Sequence, residues 1–172
     1  ASIGAGIYIL NGTVTLKNTV IANSTGEDCK NNGGTIDPGS SNNLIESTGT
    51  SACGLTNSTN GNIIGSDPNL GTLTGSPAYL PLNGGSPAID AGDDATCAAA
   101  PVSNTSQNGV SRPSSTHCDI GSFEKAQVFA DVPFDGFAWA QIESIYTAGI
   151  TGGCSTNPLN YCPNNSVTRA QM

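Results

Sequence analysis

Hydrophobic and polar residues alternate in short bursts over the first part of this chain. Ile7 and Ile9, then Val14 and Leu16, stand two apart, and Val20 follows polar Thr19. Alternation of this kind predicts strands buried on one face. Three pieces result: Ile7–Leu10, Thr13–Leu16 and Thr19–Ala22. Asn11-Gly12 and Lys17-Asn18 separate them. Asn and Gly tolerate positive φ and so punctuate strands. Further along, Ser41-Asn-Asn-Leu-Ile45 and Gly61-Asn-Ile-Ile64 repeat an asparagine just ahead of a hydrophobic pair.

Three short strands joined by two-residue bends fit hairpins. They also fit one coil of a parallel β-helix, where a coil buries its inner face only by stacking on the next. The expected fold is therefore mainly β, with terminal β-helix coils over residues 1–70. The segment between Cys29 and Cys53 is expected to protrude as a disulfide-held loop. From Asp67 the texture changes to a Pro- and Gly-rich run, read as a cap over 71–125 that would cover exposed strand edges. Residues 126–172 turn helical: Ala138, Ile142, Ile145 and Gly149 share a face, with Trp139 and Tyr146 on its flank. Asp135 suits an N-cap and Gly149 a C′ position. Thr168-Arg-Ala-Gln171 fits a capping box that opens a second helix. That helix begins at the last residues, so the chain is expected to be part of a longer protein.

Charge changes the picture mainly by exclusion. Only 10% of residues are charged and the net charge is −8, with five basic residues. Nucleic acid and anionic membrane surfaces both call for clustered Lys and Arg, which are missing. No run of about 18 apolar residues suggests a membrane span. The six cysteines are Cys29, Cys53, Cys97, Cys118, Cys154 and Cys162, and His117 is the only histidine. None has CxxC spacing, so disulfides between sequence neighbours are favoured over zinc, and with them an oxidising, extracellular setting. A bridge across about 25 residues is worth roughly 3 kcal/mol in the chain-entropy view.

Two stretches carry family resemblances. Residues 129–172 resemble a bacterial S-layer homology (SLH) domain, through Phe129-x-Asp131-Val-Pro133, Trp139, Ile145-Tyr-x-Ala-Gly-Ile-Thr-Gly152 and Val167-Thr-Arg-Ala-Gln171. The module would be partial, since its second helix is missing. Residues 1–124 resemble the C-terminal part of right-handed parallel β-helix surface proteins of the choice-of-anchor type. The motifs are the coil at Gly6, Asp67-Pro-x-Leu-Gly71, Gly85-Ser-Pro-Ala-Ile-Asp-Ala-Gly92 and Cys118-Asp-Ile-Gly-Ser-Phe-Glu124. These resemblances imply a β-helix stalk or adhesive surface attached to cell-wall polysaccharide, outside the cell. They point to Arg169 and Thr168 as polysaccharide-binding candidates. Trp139 could stack on a sugar, although a lone Trp on a short helix is more often core.

Other chemistry is thinner. Asp90, Asp93 and Asp94 offer carboxylate oxygens that Ca2+ would accept, but turn chemistry is the stronger reading. No other cofactor is implied. Parallel β-helices also host polysaccharide lyases and hydrolases, which need paired carboxylates or Ca2+ with a base. No paired motif stands out, and His117, next to Cys118, is read as a surface residue of the cap. The leading expectation is a non-catalytic piece of a secreted bacterial surface protein. The alternatives are the end of such an enzyme, with catalytic coils before Ala1, or a subunit of an extracellular filament that self-associates through β-helix edges.

Overall fold

The computed structural model describes residues 5–134, 136 and 138–166. By its internal contacts the chain divides into two compact units, Ala1–Lys125 and Ala126–Met172.

In the first unit, seven short strands come in sequence: β1 (Ala5–Ile9), β2 (Thr13–Val14), β3 (Val20–Ile21), β4 (Glu27–Asn31), β5 (Thr35–Ile36), β6 (Leu44–Ile45) and β7 (Ile63–Ile64). All pair in parallel. Ala5 faces Glu27 in β1–β4, Thr13 faces Thr35 in β2–β5, and Val20, Leu44 and Ile63 line up across β3–β6–β7. The repeated asparagine-hydrophobic pattern is thus a register mark: Leu44-Ile45 and Ile63-Ile64 lie side by side. Asparagines with positive φ turn the chain between strands, among them Asn18 at 47°, Asn23 at 57° and Asn42 at 50°. An Asn accepts this region because its short polar side chain can bond nearby backbone.

The expected solenoid is corrected here. Among the described residues no ladder exceeds three strands, most strands are two residues long, and no sheet continues into a stack of coils. The physical reason is that bends recur before a strand can lengthen. Beyond β7 the described residues of this unit pair only through isolated bridges such as Leu70 with Leu82 and Thr74 with Tyr79. The architecture is a small mixed α/β arrangement of short sheets, with two α-helices and three disulfides among the described residues. Nor does the segment between Cys29 and Cys53 simply protrude. It supplies β5 and β6, and Leu44 and Ile45 are both fully buried.

Two apolar clusters fill this unit. Ile9, Leu16, Ile21, Cys29 and Ile45 form one, closed by the Cys29–Cys53 disulfide. Leu44, Leu82, Ala88 and Ile120 form the other, which joins the ladders to the later loops. Each Leu or Ile among them contributes about 1.5–3 kcal/mol when fully buried. Between the ladders sits a buried amide pair. Asn43 donates through Nδ2 to Asn62 Oδ1 at 2.9 Å and accepts from the Thr19 amide at 3.1 Å. Helix α1 (Asp94–Ala98) follows, capped by Asp93, whose carboxylate accepts from the Thr96 amide at 2.7 Å.

The second unit holds helix α2 (Trp139–Thr147) and a two-residue antiparallel ladder of β8 (Ser155–Thr156) with β9 (Leu159–Asn160). The helix ends as its sequence predicts. Gly149 sits at φ 70°, and the amides of Gly149 and Ile150 bond the carbonyls of Tyr146 and Ile145, both at 2.9 Å. That double closure is a Schellman motif. Its inward face differs from the expected one. Trp139 and Ile142 are the buried residues, packed with Phe129 and Val132, so Trp139 is central and not flanking. Asp135 and the Thr168–Gln171 capping box lie outside the described residues.

Candidate functional site

The charged chemistry of the first unit concentrates in a buried clasp near its end. Arg112 is 5% exposed and Glu124 1%. Arg112 Nε donates to Glu124 Oε2 at 3.0 Å, and Nη2 reaches the carbonyls of Asp119 and Gly121 at 2.5 and 2.9 Å. Glu124 in turn accepts the amides of Asp119 and Ser114 at 2.9 and 2.8 Å. Asp119 accepts the amides of Asp90 and Lys125 at 2.9 and 2.6 Å. Burial pushes the Asp119 carboxyl up to about 7; the two amides oppose this, and the nearby carboxylates of Glu124 and Asp90 add to it. The clasp therefore ties one guanidinium and two carboxylates to the main chain of a loop with no ladder of its own. A buried, fully bonded ion pair of this kind is costly to break.

Beside the clasp, Asp90, Asp93 and Asp94 gather around Gly92, as their spacing suggested. Their oxygens face the chain. Asp90 accepts the His117 amide at 3.2 Å, Asp93 caps α1, and Asp94 accepts the Cys118 amide at 2.8 Å. The other Asp94 oxygen lies 2.8 Å from His117 Nδ1. That hydrogen bond, with the Cys118 amide, holds the Asp94 carboxyl below the usual range, and Asp94 raises the imidazole above 6.5. Among the described residues no group of three His, Cys, Asp or Glu side chains is arranged to hold a metal ion. The turn reading of these aspartates describes what their oxygens do.

The same use of carboxylates extends along the chain. At least ten of the twelve described Asp and Glu residues accept a main-chain N–H within 3.2 Å. They are Asp28, Asp37, Glu46, Asp67, Asp90, Asp93, Asp94, Asp119, Glu124 and Asp131. Sequence reasoning missed this. Asp37, Asp67 and Asp93 stand beside Pro or Gly, a local turn signal, and the other seven carry no such neighbour.

A third feature was also missed. A groove of about 530 Å3 opens in the first unit, and its lining carries no charged side chain. Val20, Leu70, Leu73, Tyr79, Leu82 and Phe123 form much of it, with Tyr79 and Phe123 rings 5.5 Å apart. Leu73 is 68% exposed at its rim.

In the second unit, Trp139 is 5% exposed and meets Phe134 edge-on, ring centres 5.3 Å apart. Its face is spent on the core and is not offered to a sugar. Thr168 and Arg169 lie outside the described residues. Asp131, within the quoted motif, accepts the amides of Tyr161 and Cys162, both at 2.7 Å, and so fastens the Cys154–Cys162 loop.

Comparison with protein-family models, with curated proteins and with solved structures finds no match to this chain. The resemblances to β-helix surface proteins and to the SLH domain therefore stand corrected: short open ladders replace the coils, and no family model covers either stretch. The disulfides pair Cys29 with Cys53, Cys97 with Cys118 and Cys154 with Cys162, and are compatible with an oxidising, extracellular setting. No described helix is long and apolar enough to cross a membrane.

Proposed function

We propose that this chain is a non-catalytic scaffold within a secreted cell-surface protein that contacts cell-wall polysaccharide. The observation that carries the non-catalytic part is the use of the carboxylates. Hydrolysis of a glycosidic bond needs two carboxyl groups facing one substrate, one giving a proton while the other attacks or activates water. Here the carboxylates hold loops by accepting main-chain amides. Three disulfides support the extracellular placement. With 10% charged residues, the chain offers chiefly hydroxyls and amides to a partner, groups that suit a polyhydroxylated surface.

The test incubates the purified chain with isolated cell walls and with a panel of soluble polysaccharides. Retention on the walls without release of new reducing ends is the expected result. Release of reducing ends or unsaturated products overturns the non-catalytic reading. Failure to be retained overturns the wall contact.

A further inference from the structure

Asparagine followed by glycine is a chemically reactive pair. Glycine has no Cβ to hinder its own nitrogen from approaching the side chain before it. The sequence holds five such pairs. One, Asn11-Gly12, stands at the bend between β1 and β2. The other four are Asn32-Gly33, Asn60-Gly61, Asn83-Gly84 and Asn108-Gly109. These share the reacting dipeptide, so differences in reactivity among them come chiefly from what the fold does to each.

Three of the four are held at a reacting group. Asn108 is tied at both ends of its carboxamide: Nδ2 donates to the Glu124 carbonyl at 2.9 Å and Oδ1 accepts the Glu124 amide at 3.2 Å. The Gly109 amide also donates, to the Ser106 carbonyl at 3.1 Å. Asn60 Nδ2 donates to the Pro38 carbonyl at 2.9 Å. Asn31 Oδ1 accepts the amides of Gly33 and Gly34 at 3.3 and 2.9 Å. A bonded amide keeps its proton engaged, and a bonded carboxamide is not free to turn its carbon toward the main chain.

Asn83-Gly84 is held the other way round. Asn69 grips the main chain on both sides of the pair: its carbonyl accepts the Asn83 amide and its Nδ2 donates to the Gly84 carbonyl, both at 3.0 Å. The Ser86 amide closes the turn onto the Asn83 carbonyl at 3.1 Å. The reacting groups are left over. Among the described residues neither the Asn83 side chain nor the Gly84 amide has a hydrogen-bond partner. Both residues are exposed, so water reaches them.

We propose that Asn83-Gly84 is a site of spontaneous main-chain rearrangement. The Gly84 nitrogen attacks Asn83 Cγ. The N–Cγ bond forms, the Cγ–Nδ2 bond breaks, and the side-chain nitrogen leaves as ammonia, carrying the glycine's proton. Water then opens the cyclic imide at either carbonyl. One opening gives aspartate. The other gives isoaspartate, in which the main chain runs through Cγ and is one carbon longer. Either product adds a negative charge to a chain of net charge −8. The isoaspartyl form also lengthens the turn between Leu82 and Ser86, both buried, and so loosens the apolar seam at Leu82. The inference does not rest on the scaffold role proposed above.

The experiment holds the folded full chain in mildly alkaline buffer and follows each Asn-Gly pair by peptide mapping, with isoaspartate counted by enzymatic methyl transfer. Conversion at Asn83 is expected at least ~10-fold faster than at Asn108, with Asn32 and Asn60 between them. Isoaspartate should be part of the product. In urea the four rates should converge to within about 3-fold. Gly84→Ala, at an exposed position, should slow Asn83 at least ~10-fold and leave the other three pairs unchanged. Any of four results overturns the inference: Asn83 converting no faster than the other three, the same order of rates persisting in urea, a product free of isoaspartate, or a rate at Asn83 that Gly84→Ala does not slow.

Discussion

In residues 5–64 the buried main chain bonds mostly to itself, through short parallel ladders. In residues 67–125 it bonds to itself across turns, one short helix and isolated bridges, and bonds in addition to buried charge, through Arg112, Asp119 and Glu124. The two regions share an apolar seam at Leu44, Leu82, Ala88 and Ile120. The difference shows what a chain rich in Gly and Pro must do when it gives up ladders. Every buried amide and carbonyl still needs a partner. An Arg offers five donors and a carboxylate several acceptor sites, so three side chains can serve several main-chain groups of an irregular loop at once. The ladder region spreads the same task over many weak bonds. The loop region concentrates it, and should be correspondingly easier to break at one point.

The largest expected effect tests that concentration. Arg112→Met keeps the length and apolar stem of the side chain but leaves Glu124 and the carbonyls of Asp119 and Gly121 buried without their donor. Removing one partner of a buried pair costs about 3–5 kcal/mol. Urea unfolding followed by circular dichroism should show the midpoint falling accordingly. A loss below about 1 kcal/mol, the scale of an ordinary single hydrogen bond, would mean that the clasp is not what holds this loop.

The next effect probes the ladder side through its packing. Leu44 is fully buried, and Leu44→Ala leaves a cavity where the ladders meet the loops. Such truncations cost 2–5 kcal/mol, about 3 for a site that relaxes partly. By the same urea measurement it should fall short of Arg112→Met. If the order reverses, the loop region depends on the seam more than on its charges, and the contrast drawn above fails.

The sequence made the ladder side far more legible than the clasp. Alternation at Ile7 and Ile9 and the repeated asparagine ahead of Leu44-Ile45 and Ile63-Ile64 marked residues that the structure pairs in register. Period-two patterns are local, so they can be read without knowing the fold. What could not be read was how few strands would stack, because that depends on partners some twenty residues away. Strand β4 was invisible for another reason. Its sequence, Glu27 to Asn31, is mostly polar, and it forms because Asp28 accepts the Ser47 amide at 2.7 Å while Cys29 enters the core. The clasp was hidden in the same way: Arg112 and Glu124 are twelve residues apart and look like surface charges until the loop folds over them. The Pro-Gly texture told where ladders end, and nothing local told what replaces them.

The smallest expected effect tests whether charge at the loop region's exposed edge behaves like charge in the clasp. His117 and Asp94 lie 2.8 Å apart, with side chains 55% and 44% exposed. The Asp94 hydrogen bond and charge raise the His117 imidazole above 6.5, so its contribution is full below 6.5 and disappears as pH rises through the raised value. The same hydrogen bond, then the Cys118 amide, lower Asp94 below 3.8, so its contribution exists above 3.8 and disappears as pH falls through the lowered value. The pair thus works between these limits. Solvent screens it, so the gain in stability should be small beside that of Arg112. An NMR titration should place His117 above 6.5 in the parent chain and return it toward 6.5 in Asp94→Asn, with the stability difference between the two shrinking as the imidazole loses its proton. If Asp94→Asn leaves the titration where it was, the contact does not persist in solution, and coupling between charges in this region is confined to its buried clasp.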